Sequence, residues 1–177
     1  MGEVKTSETN QEIILGMGKF SVANIDIALT KGGGQFVVER EFRQIEADGM
    51  KAYAEDMIVI DREQPKLTMN QLSILTNADF TKLYSALQSK SVSNGGTGVE
   101  ITSTDDLVIG SDSYVPVSWT GVTNKGKKVI ITLEKAINLE NIDWTLADKS
   151  EVINKLTYTG VAPKGETKAK WSVKFIQ

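Results

Sequence analysis

Apolar and polar residues alternate over most of this chain, the period-two pattern of half-buried strands. The longest such run follows the triplet Gly32, Gly33 and Gly34, which gives the backbone freedom to turn into it. Along it Phe36, Val38, Arg40 and Phe42 fall on one face, and Val37, Glu39, Glu41, Arg43 and Ile45 on the other. The first face is mostly apolar and is expected on a core; the second carries charge through its middle and is expected in water. A return strand is predicted over Met57 to Glu63, stopped by Pro65, which has no N–H to give a ladder. Together the two runs predict a long protruding hairpin. Its tip, Ala47 to Asp56, holds Met50 and Tyr53 among small and charged residues. Two readings of that pair are open: contact with a partner, or folding back onto the same domain.

The rest of the chain reads mainly as short strands: Ile13–Leu15, Phe20–Val22, Ile25–Leu29 and Leu67–Leu75 in the first half. One helix is predicted, capped at Asn77 or Asp79, with Phe80, Leu83, Tyr84 and Leu87 forming a stripe that packs on a sheet. Ser89 to Gly98 (SKSVSNGGTG) reads as a flexible loop. Val115–Trp119 and Lys128–Leu133 flank a hairpin loop at Gly121 to Lys127, and strands at Asp143–Leu146, Val152–Tyr158 and Trp171–Ile176 follow. The fold class is therefore mainly β: a β-sandwich or partly closed β-barrel with one flanking helix.

Composition narrows the chemistry. A chain of 177 residues suits one domain with a real core, here residues 12–177. Residues 1–11 form a polar arm with little to bury, and neither a signal peptide nor a membrane-spanning run is read. The sequence contains no Cys and no His, which removes disulfides, thiolate ligands and the commonest general base. No nucleophile elbow or phosphate loop is present, and Asp105, Asp106 and Asp112 lack the order of a calcium loop. No catalytic residue, cofactor or metal site is assigned, and the chain is not expected to be an enzyme. A net charge of −3 disfavours tight duplex binding, and Lys125, Lys127 and Lys128 read as a solvated turn. Arg40 stands out on its apolar face. Either it snorkels at the core edge, or a carboxylate, of this chain or of another subunit, pairs with it.

Several segments resemble the major tail tube proteins of long-tailed, siphovirus-type bacteriophages. They are ILGMGKFSVANIDIALTKGGG, VEREFRQIEADG and VIDREQPKLTMNQLSIL, then VPVSWTGVTNKGKKVIITLEKAINLENIDWTLADKS, LTYTG and AKWSVKFIQ. The order and spacing of the set carry the resemblance, which covers nearly all of the chain from Ile14. It implies the phage tail tube fold, with homo-hexameric rings stacked into a hollow tube through which genome DNA passes without specific binding. Tape measure, distal tail and tail terminator proteins would be its partners, in a virion tail assembled in the host cytoplasm.

On this chain the resemblance makes Asp48, Gly49, Met50, Lys51, Tyr53 and Glu55 a ring-stacking loop, and residues 1–11 an inter-subunit arm. It makes Glu39, Glu41 and Arg43 candidates for the channel lining, where negative walls would let DNA slide. The inner tube of a contractile tail or of a phage-derived bacteriocin is an alternative of the same kind. A carbohydrate- or protein-binding β-sandwich, using an exposed platform among Trp119, Trp144 and Trp171, is the alternative of another class.

Overall fold

The computed structural model describes residues 12–27, 30–72, 77–93 and 96–177, the side chains of residues 77–79 excepted. The expected arm, residues 1–11, and the expected capping side chains at Asn77 and Asp79 lie outside the described residues. Among the described residues ten strands and one α-helix follow one another: β1 (Ile14–Val22), β2 (Ile25–Ile27), β3 (Thr30–Gln44), β4 (Ile58–Gln71), α1 (Asn77–Leu83), β5 (Leu87–Ser93), β6 (Thr97–Ser103), β7 (Val115–Thr123), β8 (Lys128–Asn138), β9 (Asn154–Gly160) and β10 (Trp171–Ile176). The architecture is mainly β and antiparallel. One sheet has the order β2-β1-β7-β8-β9-β4-β3, with β10 added on β8, and β5 pairs with β6 alone. The main sheet ends at β2 and β3, so it is open and not a closed barrel.

The branch at β8 shapes the body. Lys128 to Leu133 pair with β10, whereas Ala136 to Asn138 pair with β9. The sheet folds over, and Phe20 of β1 lies against Gly34 of β3 although those strands are far apart in the sheet order. A Cβ at Gly34 would collide with the Phe20 ring and the Thr68 carbonyl, so the close approach requires glycine. Between the two halves lies one core to which Val22, Leu67, Met69, Val117, Leu133 and Leu156 contribute. The alternation read from the sequence holds through β7, where Val115, Val117, Trp119, Gly121 and Thr123 are all buried.

Other expectations need correction. The segments Ile13–Leu15 and Phe20–Val22 belong to one strand, β1. Pro65 does not end the return strand, because β4 runs through it to Gln71. Pairing of β4 with β9 begins only at Lys66, so β4 is paired on one side at the proline, with Val38 of β3. The helix stops at Leu83, earlier than its apolar stripe suggests. Its last carbonyl accepts hydrogen bonds from Asn138 Nδ2 at 2.8 Å and the Tyr158 hydroxyl at 3.0 Å, which provide an alternative to continuing the helix. Ala86 then takes a φ of 58°, and Leu87 reaches the core from β5.

The supposed loop Ser89 to Gly98 lies within the β5–β6 hairpin, paired from Leu87 opposite Ser103 to Ser93 opposite Thr97. Asp143 to Leu146 form no strand.

Candidate functional site

The β3–β4 pair is the feature that stands apart from the body. Near its root, Phe36 meets the Trp171 ring with centroids 5.6 Å apart, and Leu67 is buried. The strand face is therefore the one expected, but β3 outruns the core. Phe42, on the same face, is 61% exposed. The pairing is regular from Gly34 opposite Met69 to Glu41 opposite Arg62, and then shifts so that Phe42 opposes Ile60. Asp61 is the extra residue of this bulge. Beyond it Phe42, Ile58 and Ile60 share one face, each more than half exposed. The ladder reaches one pair past the strands, since Ile45 donates its N–H to Met57 O at 2.8 Å.

The opposite face is a ladder of charges. Lys66 Nζ lies 2.8 Å from Glu39, Arg62 Nη1 lies 3.7 Å from Glu41, and Arg43 holds Asp61 through two donors at 2.9 and 3.2 Å. Glu39, Glu41 and Arg43, the candidate lining residues, thus share one face, each paired across the strands. Three acids meet three bases, so this face is balanced in sign. Such exposed pairs stabilise by about 0.2–1 kcal/mol each. They hold the two strands together where no core does.

The tip departs in part from its sequence reading. Gly49 has a φ of 86°, and Met50 N–H closes a turn onto Ala47 O at 3.2 Å. Met50 is half-buried, and its sulfur accepts the Ala47 N–H at 3.3 Å, so this side chain folds back on its own loop. Tyr53 does not; it is 78% exposed. Asp48, Lys51 and Glu55 are exposed around it. Of the two supposed anchors, Tyr53 is the one presented outward.

Arg40 finds its carboxylate within the chain. Its Nε donates to Glu63 of β4 at 2.9 Å, and no second subunit is needed to account for its charge. Glu63 also accepts from Trp171 Nε1 at 2.9 Å and lies 3.0 Å from Lys168 Nζ, while its own side chain is only 6% exposed. The Trp171 hydrogen bond first, then Lys168, hold its carboxyl below the usual range, against the opposing effect of burial.

Alternation alone did not single out Glu63, Ile58 or Ile60. The signal available was the acid placed opposite Arg40 once the hairpin register is drawn. Elsewhere, Lys127 of the supposed solvated turn pairs with Glu12 at 2.9 Å, and that pairing is part of what lowers the Glu12 carboxyl. Burial pushes the Tyr158 and Tyr84 hydroxyls up, which keeps both as neutral phenols.

A second exposed apolar feature is a cleft of about 470 Å³ lined by Phe80, Leu87, Val99, Ile101, Ile142 and Trp144. Trp144 is fixed there by donating its Nε1–H to the buried Asn154 and by an edge contact with Phe80. Trp119 is buried and Trp171 is half-buried against Phe36, so Trp144 is the tryptophan presented to solvent. No group of three or more Asp or Glu side chains placed to hold a metal ion occurs among the described residues.

The chain matches no known family model, and no curated protein is significantly similar to it.

Proposed function

We propose that this chain is a structural subunit that assembles with copies of itself, as the tail tube protein of a long-tailed bacteriophage. The observation that carries the proposal is the protruding β3–β4 hairpin, called the arm from here on: a 15-residue strand at the end of the sheet, its partner β4 and their tip, which together bear exposed Phe42, Ile45, Ile58, Ile60 and Tyr53 beyond the core. The outer edge of β3 has no strand partner among the described residues. Long unpaired edges and contiguous apolar side chains are liabilities in a monomer and joining surfaces in an assembly. Hexameric rings stacked into a DNA-conducting tube would bury both. The balanced ion pairs beside Glu39, Glu41 and Arg43 fit a lining that neither grips nor strongly repels phosphate, in place of the negative wall the sequence suggested.

Negative-stain microscopy and sedimentation at rising concentration test this reading. Hollow tubes or rings are expected. A monomer that persists at every concentration would sink it. The inner tube of a contractile tail satisfies the same surface and is separated by the presence of a sheath protein in the native particle.

The different-class reading, a carbohydrate- or protein-binding module, draws on the cleft around Trp144. It predicts a stable monomer whose ligand quenches or shifts the Trp144 fluorescence.

A further inference from the structure

We infer that Glu63 is the latch that fixes the direction of the arm relative to the body, so that the apolar face of the arm is preset before any partner arrives. Three elements converge on this one carboxylate. Arg40 comes from β3, within the arm, while Trp171 opens β10 and Lys168 belongs to the segment just before it. Glu63 itself lies two residues from the extra residue of the bulge, where β4 leaves the body.

The position matters because little else ties this stretch down. From Ile58 to Pro65, β4 pairs with β3 but with no strand on its other side among the described residues, since β9 joins only at Lys66. The space beside that free edge is an open groove of about 750 Å³, lined in part by Ile60, Leu139, Val161 and Ala169. A two-stranded ribbon standing over such a gap has little intrinsic resistance to bending. Gln64 bridges the root of the groove by donating its side-chain N–H to Gly160 O, and Phe36 stacks on Trp171. Glu63 is the charged point at which ribbon, β10 and the preceding segment all meet.

The charged groups facing Glu63 are Arg40 and Lys168; Asp61 and Arg62 of its own strand pair with Arg43 and Glu41 on the opposite face. Removing the carboxylate leaves two cations without their common partner, Arg40 42% and Lys168 68% exposed, and both able to turn to water. The body keeps its core, and the arm loses its anchor.

This inference concerns the single chain and stands whether or not tubes form. Because the sequence has no Cys, spin labels can be placed at will: Tyr53→Cys at the tip and Lys174→Cys on β10, in the full chain, with labelled copies diluted into unlabelled ones. Pulsed electron–electron resonance then reads the tip-to-body distance distribution. A narrow distribution is expected for the parent, and one at least twice as broad for Glu63→Gln, with the near-ultraviolet dichroism of the core unchanged. Trp171→Phe, which removes a single donor, should broaden it by a smaller amount and decides the matter if Glu63→Gln does not fold. A distribution as narrow as that of the parent in every folded variant would overturn the latch. Loss of tube formation with an unbroadened distribution would overturn it too, while leaving the proposed function standing.

Discussion

The root and the distal half of the β3–β4 pair share strands, pairing and alternation, yet they are held by different forces. At the root, Leu67, Met69 and Phe36 turn toward a core supplied by β1, β7, β8 and β9. Beyond the bulge Phe42, Ile58 and Ile60 turn the same way but have no second layer over them, and each stays more than half exposed. Cross-strand ion pairs worth a fraction of the core term per residue remain. A strand's pattern thus tells which way its side chains point, while the presence of a second layer decides whether that direction means burial.

The sharpest way to break the comparison is to truncate one apolar residue in each half. Leu67→Ala should destabilise the fold by about 2–5 kcal/mol, since it opens a cavity at a fully buried site. Phe42→Ala should change monomer stability by less than about 1 kcal/mol, because the ring is already in water, while reducing assembly. Denaturant titration together with sedimentation checks both; equal destabilisation would mean the arm is part of the core.

Next comes Gln71, a fully buried side chain on β4 whose amide has no hydrogen-bond partner among the described residues. An unmet buried amide costs about 1–3 kcal/mol, so Gln71→Met, which keeps the volume, should raise the unfolding midpoint. A fall would show that the amide is satisfied in solution.

The latch offers a pH test. The Glu63 carboxyl is lowered in the fold, so its contribution is complete above the unfolded value of about 4.3 and is lost as pH falls through the folded one. The parent should therefore lose stability relative to Glu63→Gln as the pH is taken below the ordinary carboxylate range, as read by thermal melts on the acid side. Parallel acid limbs would remove the linkage.

The smallest effect belongs to the ladder. A double-mutant cycle on Arg43 and Asp61 should give a coupling of about 0.2–1 kcal/mol that fades with salt.

Much of this was legible from residues alone. The root of β3, the strands β7 and β8 and the terminal β10 follow from alternation and apolar content, although the loop drawn over Gly121 to Lys127 gives its first three residues to β7, and Val173 and Phe175 on the apolar side of β10 are exposed. The failures share a cause. Pro65 looks like a stop, but which neighbours β4 has at that point is set by β9, about ninety residues away. Leu87 extends a helical stripe, yet the Leu83 carbonyl is claimed by Asn138 and Tyr158 from distant strands. The β5–β6 hairpin hid behind serines and glycines that have little β-propensity. Its available cue was the Asn94-Gly95 pair, a favoured tight-turn sequence. At the site, the charged face was legible, whereas Glu63 required the register, and the inward fold of Met50 required the turn around Gly49.

The bulge at Asp61 also bears on how the arm tolerates changes of length. Without a bulge, Phe42 would face Asp61 and Arg43 would face Ile60, and grease and charge would alternate on both sides of the ribbon. The extra residue brings the two strands back into phase. Deleting Asp61 should then be mild, because Arg62 still precedes the Phe42–Ile60 pairing and only the added twist and one ion pair disappear. Inserting one residue beside it should also keep the faces in phase, because the added residue falls opposite Phe42 and Asp61 then falls opposite Arg43, leaving Ile60 and Ile58 on the Phe42 side. A matched deletion and insertion, compared for soluble expression and assembly, would expose that two-sided tolerance.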